Sequence, residues 1–214
     1  MPRSRRVAIV SDVHGSLTAL QAVIDDLGRR APDLVLHGGD LVLMGPEPAA
    51  VADRVRELGW PGVLGNTDEL LWRPEERDVQ LARAPKMTRL IELLFDDYAP
   101  YTAELLGEDR IRWLRALPAE LEIEGLRLLH ASPGDSWRAP APDASDAELQ
   151  RVFGGSKAQL VGYGHIHRPY TRSAPAMTVI NCGSVGMPWD GDPRAAYVLL
   201  EDGRPHVVRV EYDV

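Results

Sequence analysis

Residues 6–40 read RVAIVSDVHGSLTALQAVIDDLGRRAPDLVLHGGD. Two short apolar runs, 6–10 and 34–37, bracket a stretch in which Leu17, Leu20, Val23, Ile24 and Leu27 recur at helical spacing. The runs are rich in β-branched residues and too short for helices, so each predicts a buried strand, and Ser16 stands where a helix N-cap is expected. Residues 47–58 read as a second helix, and residues 61–64 as a third strand ending at Gly65. This β-α-β-α-β alternation predicts a parallel sheet with helices packed on it.

Farther along, the pattern changes. Residues 69–117 read as mostly helical, a segment that either caps the sheet end or packs on the sheet through aromatics such as Trp72 and Trp113. Residues 120–130 read as a strand pair turning at Glu124-Gly125. Pro133, Gly134, Pro140 and Pro142 make 132–144 a loop, and 145–153 is a short helix. Strand-like runs follow at 159–163, 169–173, 177–181, 195–200 and 206–212, and they favour antiparallel pairing. No linker interrupts the chain, so residues 1–214 read as one domain.

Composition narrows the function. Hydrophobic residues make up 44% and charged residues 26% of the 214, the balance of a globular protein that needs no disulfide. Cys182 is the one cysteine, so no intramolecular disulfide forms; this fits a reducing compartment, and the cytoplasm is expected. The basic start, residues 1–6, leads into only four apolar residues before Asp12, too few for a signal-peptide core, and no run approaches the length of a membrane span. Lys and Arg number 24 against 32 Asp and Glu, a net charge of −8 that disfavours nucleic acid or anionic membrane as a partner. A small phosphate compound stays open, because bound cations reverse the local field.

Chemistry concentrates where predicted strands stop, the place where open α/β sheets bind ligands. Asp12 and His14 follow the first strand, Asp40 the second, and Asn66 the third; His130 ends a later one, and His165 and His167 follow another. On an extended segment residues two apart point the same way, so Asp12 and His14 are expected to address one point, and His165 and His167 likewise. Gly39, Gly65 and Gly164 each directly precede a candidate ligand. Singly each motif reads as a turn, but four of the six histidines fall into this one order. Carboxylate and imidazole together suit Mn, Fe, Zn or Ni. His37, inside a strand, reads as a core histidine satisfied by its neighbours, and His206 has no partner motif.

With Asp12-x-His14, Gly39-Asp40, Gly65-Asn66-x-Asp68, His130 and Gly164-His165-x-His167 in this order, the chain resembles the calcineurin-like metallophosphoesterases, and most of all their small bacterial and archaeal phosphodiesterase branch. The likeness extends through Leu114 to Pro118, Asn181 to Gly186 and Asp192 to Arg194. It implies an α/β fold with mixed sheets, a four-layer α-β-β-α sandwich. It also implies two divalent metal ions, manganese first, with Fe, Ni, Zn or Mg as alternatives. Asp12, His14, Asp40 and His167 would hold one ion. Asp40 would bridge to the other, completed by Asn66, His130 and His165.

The family's usual Gly-Asn-His motif has Thr67 in place of its histidine. Threonine donates a hydrogen bond but is no acid near neutral pH. Asp68 is expected either to orient a ligand histidine or to be a plain turn aspartate, and Cys182, where relatives often carry proline, reads as packing. The expected reaction is in-line attack on phosphorus by a hydroxide shared between the ions, with small nucleotide-type or activated diesters as substrate. Two alternatives stand beside it. One is a non-catalytic interaction module on the same fold. The other is a nuclease or phosphomonoesterase of the superfamily, for which Arg73, Arg77, Arg83, Lys86 and Arg89 would supply basic charge; the plain reading of that cluster is a solvated helix face.

Overall fold

The computed structural model describes residues 5–213, so most of the basic start lies outside it. Alternation along the strands builds two packed sheets. In β1 (Arg6–Val10), Ala8 and Val10 face helices while Val7 and Ile9 face the second sheet. Strand β2 (Leu34–His37) pairs parallel with β1, and β8 (Ala195–Glu201) pairs antiparallel on the other side. The hairpin partner β9 (Arg204–Val210) completes the order β2-β1-β8-β9. The second sheet runs β3-β4-β5-β7-β6, from β3 (Glu120–Ile123), β4 (Leu126–Leu129), β5 (Leu160–Tyr163), β6 (Tyr170–Ala174) and β7 (Met177–Asn181).

Ile9, Leu36 and Val198 of one sheet meet Leu128 and Ile180 of the other in a dry interlayer. Outside the first sheet lie α1 (Leu17–Arg30), α2 (Pro48–Leu58) and α6 (Ala99–Arg115), which bury Leu20, Val23, Val55 and Leu114 on it. Outside the second lies α7 (Asp146–Phe153), begun by the Ser145 hydroxyl accepting the Glu148 N–H at 3.2 Å. Helices, two mixed sheets and helices make the four-layer α/β sandwich. Trp60, Trp72 and Trp113 are partly buried against the first sheet's outer core. The helices α3 (Asn66–Glu69), α4 (Glu76–Arg83) and α5 (Thr88–Glu92), with a π-helical turn at Leu93–Tyr98, bridge to a smaller cluster of Leu43, Leu70, Ile91, Leu94 and Phe95.

Four expectations are corrected. Residues 61–64 form no strand beyond a single bridge from Gly62 to His37. Proline at 61 offers no N–H, and the Leu64 N–H turns away to the Pro118 carbonyl at 2.9 Å. The first sheet is mixed, because β8 inserts antiparallel beside β1. Antiparallel pairing holds for β6 with β7 and β8 with β9, but β4, β5 and β7 run parallel: the long connection through α7 returns β5 in the direction of β4, and β6 carries the chain back between β5 and β7.

The fourth concerns His37. Its ring lies against Gly62, fully buried, and neither ring nitrogen has a hydrogen-bond partner among the described residues. Burial lowers its pKa from 6.5 to about 4. The folded value lies below the unfolded one, so the unfolded chain gains the proton first as pH falls. Stability from neutral His37 is therefore complete above about pH 6.5 and lost as pH drops toward 4, a span worth roughly 3 kcal/mol. Urea unfolding of His37→Leu at pH 7 and pH 4.5 should show a pH dependence about 2–3 kcal/mol smaller than that of the natural chain. An unchanged dependence would exclude His37 as its source.

Candidate metal centre

The loops after β1, β2, β4 and β5 leave the same edge of the sandwich and carry the candidate ligands inward. Asp12, His14, Asp40, Asn66, His130 and His167 are buried, and His165 is half-buried. They do not converge through strand alternation, as the sequence suggested. Asp12 (φ 56°), His14 (48°), Asp40 (53°), His165 (65°) and His167 (55°) all take the left-handed conformation. Each costs about 1 kcal/mol or more, which Asp and His tolerate better than most residues. The kinks turn successive side chains onto one point. They are held by backbone bonds between loops: Asp12 N–H to Gly39 O at 3.0 Å and His14 N–H to Asp40 O at 3.0 Å.

A carbonyl oxygen can only accept, so each histidine facing one must donate to it. His14 Nδ1 donates to Leu43 O (3.0 Å), His130 Nδ1 to Gly38 O (2.8 Å), His167 Nδ1 to Met187 O (2.6 Å) and His165 Nε2 to Trp137 O (3.1 Å). The other nitrogen of every ring is thereby aimed at the centre.

Two groups of donors result. His14 Nε2 stands 3.2 Å from His167 Nε2, which is 3.1 Å from Asp12 Oδ1. Donor atoms of Asp12, His14, Asp40 and His167 all lie within 4.8 Å of one another. Ligands about 2.2 Å from a shared ion lie at most about 4.4 Å apart, so a small contraction would close this group on one cation. In the second group Asn66 Oδ1 is 2.8 Å from His130 Nε2 and 2.9 Å from His165 Nδ1. Asp40 Oδ2 lies between the groups, 3.7 Å from His14 Nε2 and 3.4 Å from His130 Nε2.

The residues fit a metal. With both rings neutral, His14 Nε2 and His167 Nε2 would face each other at 3.2 Å with no hydrogen to share, as would His165 Nδ1 and the Asn66 amide oxygen at 2.9 Å; burial opposes charge on His167 but Asp12 raises its pKa, so a metal ion would take the place of that proton. A divalent cation satisfies both contacts, and oxygen with imidazole nitrogen is a borderline donor set.

Charge is arranged to the same end. Burial would raise the pKa of Asp40, yet the charge and hydrogen bond of His130 and the charge of His14 pull it well below the usual carboxylate range. Burial opposes ionisation of Asp12 too, but His167 holds it down. His130 is raised to about 10 because Asp40 outweighs its burial. Burial keeps His14 low and takes His165 to about 4.

The third-motif residues serve the backbone. Thr67 N–H donates to Asp40 Oδ1 at 2.9 Å, while its hydroxyl is buried with no hydrogen-bond partner among the described residues. Asp68 does not orient a histidine: its carboxylate accepts from Leu41 N–H (3.0 Å) and Val42 N–H (3.2 Å), fixing the loop after Asp40. Burial and the Asp40 charge raise Asp68 to about 7.

Other contributors had no role assigned to them from the sequence. The four carbonyls that orient the rings belong to the backbone and leave no residue signature. Asn181 Nδ2 donates to Gly164 O (2.6 Å) and Ser184 Oγ to Asp12 O (2.7 Å), so the 181–186 motif buttresses two ligand loops. Trp189, 53% exposed, stacks on His167 with ring centroids 4.2 Å apart. Cys182 is buried between the sheets, its thiol pushed up by burial. Asp192 pairs with Arg194 at the surface (2.7 Å). A cavity of about 320 Å³ adjoins His130, lined in part by Arg73, Arg127, Ser132, Asp135 and Ser136.

Comparison with known proteins agrees with this geometry. Residues 6–203 match the model of the calcineurin-like phosphoesterase superfamily domain. An uncharacterised protein of Methanocaldococcus jannaschii is 28% identical over 97% of this chain and 88% of its own length. The phosphodiesterase YfcE of Escherichia coli strain K12 is 26% identical over 92% of this chain and 88% of its own. The crystal structure of a metallophosphoesterase from Sphaerobacter thermophilus superposes with a TM-score of 0.78 at 27% identity, covering 99% of this chain and 90% of that one.

The geometry around Gly65 yields a sharp test. A Cβ there would collide with the Asp40 amide nitrogen and Oδ1. Gly65→Ala should displace Asp40 and weaken Mn²⁺ binding by about 10-fold or more in isothermal titration. Unchanged affinity would mean that Asp40 is not a ligand.

Proposed function

The chain belongs to the calcineurin-like phosphoesterase superfamily and is a metal-dependent phosphoesterase, and from that premise we propose that it is a phosphodiesterase acting on small nucleotide-type or otherwise activated diesters at a centre of two divalent ions, manganese foremost. The observation that carries this reading is Asp40 standing between two sets of inward-facing donors. Asp12, His14 and His167 would hold one ion and Asn66, His130 and His165 the other, with Asp40 common to both. When bound, such ions supply Lewis-acid charge for the phosphoryl oxygens and lower the pKa of water.

The chain's own residues do the rest. The Thr67 amide fixes Asp40 Oδ1 and leaves Oδ2 facing His14 on one side and His130 on the other. Since the Thr67 hydroxyl is buried, it offers no proton to a leaving group, and substrates whose leaving groups depart unaided are favoured. The cavity beside His130 accommodates a small ester arm rather than a polymer. The net charge of −8 also speaks against nucleic acid as substrate. We read residues 1–214 as one catalytic domain working in the cytoplasm.

Manganese-loaded protein should hydrolyse bis-p-nitrophenyl phosphate with kcat/KM about 10-fold or more above that for p-nitrophenyl phosphate. Asp40→Asn and His130→Gln should each lose roughly 100-fold or more. Thr67→His should raise turnover selectively on poor leaving groups. Absence of diester hydrolysis after metal loading, or a preference for the monoester, would refute the assignment.

A further inference from the structure

Eight large hydrophobic side chains are exposed among the described residues, and six lie on the helical segment: Val79, Met87, Leu90, Tyr98, Tyr101 and Leu105. Soluble surfaces rarely gather apolar groups this way without a partner. From Thr88 the helix runs unbroken through α5, the π-helical turn and α6 until Gly107, whose φ of 71° interrupts it. Its inner face buries Ile91, Phe95, Ala99, Thr102 and Leu106. Leu90, Tyr98, Tyr101 and Leu105 each precede a buried residue by one position, so they form a second stripe beside the first. Eight residues from Leu90 to Tyr98 would drift out of phase in a regular α-helix. The extra residue per turn at Leu93–Tyr98 restores the phase. From Met87 to Leu105 the stripe is about 28 Å long.

Charge says what covers it. Arg89 is exposed in the first turn of this helix with Lys86 just before it, and Glu104 in its last turn with Glu108 just past the break at Gly107. A lone helix prefers the reverse arrangement, acid at the start and base at the end. Lys86, Glu104 and Glu108 have no hydrogen-bond or ion-pair partner among the described residues, and Arg89 reaches only Glu92, at 3.9 Å. An identical helix laid antiparallel, with a two-fold axis near Asp97, would bring Lys86 and Arg89 of each copy beside Glu108 and Glu104 of the other.

We infer that the chain forms a symmetric homodimer through this stripe, a second copy being the occupant. The interface is isologous, with Tyr98 and Tyr101 near its axis and the charge pairs at its ends. The inner face of the same helix stacks Phe95 on Trp137 at 6.1 Å, and the Trp137 carbonyl receives His165 Nε2. Dimerisation therefore braces the layer behind that histidine.

Sedimentation velocity of the full chain from about 1 to 100 µM tests this. The natural chain should sediment at twice its chain mass, and Tyr101→Glu with Leu105→Lys at the chain mass with unchanged far-UV circular dichroism. Lys86→Glu with Arg89→Glu should weaken the dimer Kd by about 10-fold or more, and adding Glu104→Lys with Glu108→Lys should restore it. A natural chain that stays monomeric throughout, or a dimer indifferent to both sets of changes, overturns the proposal.

Discussion

Four histidine rings are each tied by one nitrogen to a backbone carbonyl, and this tether governs everything around the centre. Once Leu43, Gly38, Trp137 and Met187 accept from His14, His130, His165 and His167, the remaining nitrogens have no direction left but inward. Lone pairs forced together at 3.2 Å repel unless a positive charge lies among them. The site is thus built ahead of any ligand and is complementary to cations by construction. Negative Asp12 and Asp40 complete it, and an imidazole that gave up its proton to a metal ion would add a donor without charge of its own.

Such a site strains the backbone that carries it. Five candidate ligands sit in left-handed conformations, and glycines stand where a side chain would strike a neighbouring carboxylate. The sandwich bears this because the strands behind the loops are buried on both faces. Val10 and Ile9 pack to opposite sides of β1, and β8 is buried along nearly its whole length. The rigid strands set where each loop starts, and bonds from Asp68, Asn181 and Ser184 set where it goes. These polar residues act on geometry rather than on a substrate.

Much of this was legible in the sequence. Short β-branched runs and helical periodicity identified β1, α1, β2 and α2 because burial dictates both patterns. The motifs from Asp12 to His167 were legible because they cluster at strand ends, and the structure brings their side chains together in one cluster. What stayed hidden depends on other parts of the chain. Residues 61–64 look like a strand by composition, but the Leu64 amide is claimed by Pro118. Asp68 looked like a histidine's partner until the loop at Leu41 and Val42 folded over it. His37 was read as satisfied, yet nothing in its own segment reveals that Gly62 closes over the ring. Strand direction in the second sheet also escaped local reading, since it depends on a connection of some thirty residues.

The account is tested most directly by a crystal of the Mn²⁺-loaded protein, with anomalous scattering measured at the manganese edge. It predicts two peaks about 3.5–4 Å apart, with Asp40 touching both. One peak should be ringed by Asp12, His14 and His167, the other by Asn66, His130 and His165. Manganese bound elsewhere, or rings of His130, His165 and His167 turned away from Asp12 and Asp40, would contradict it.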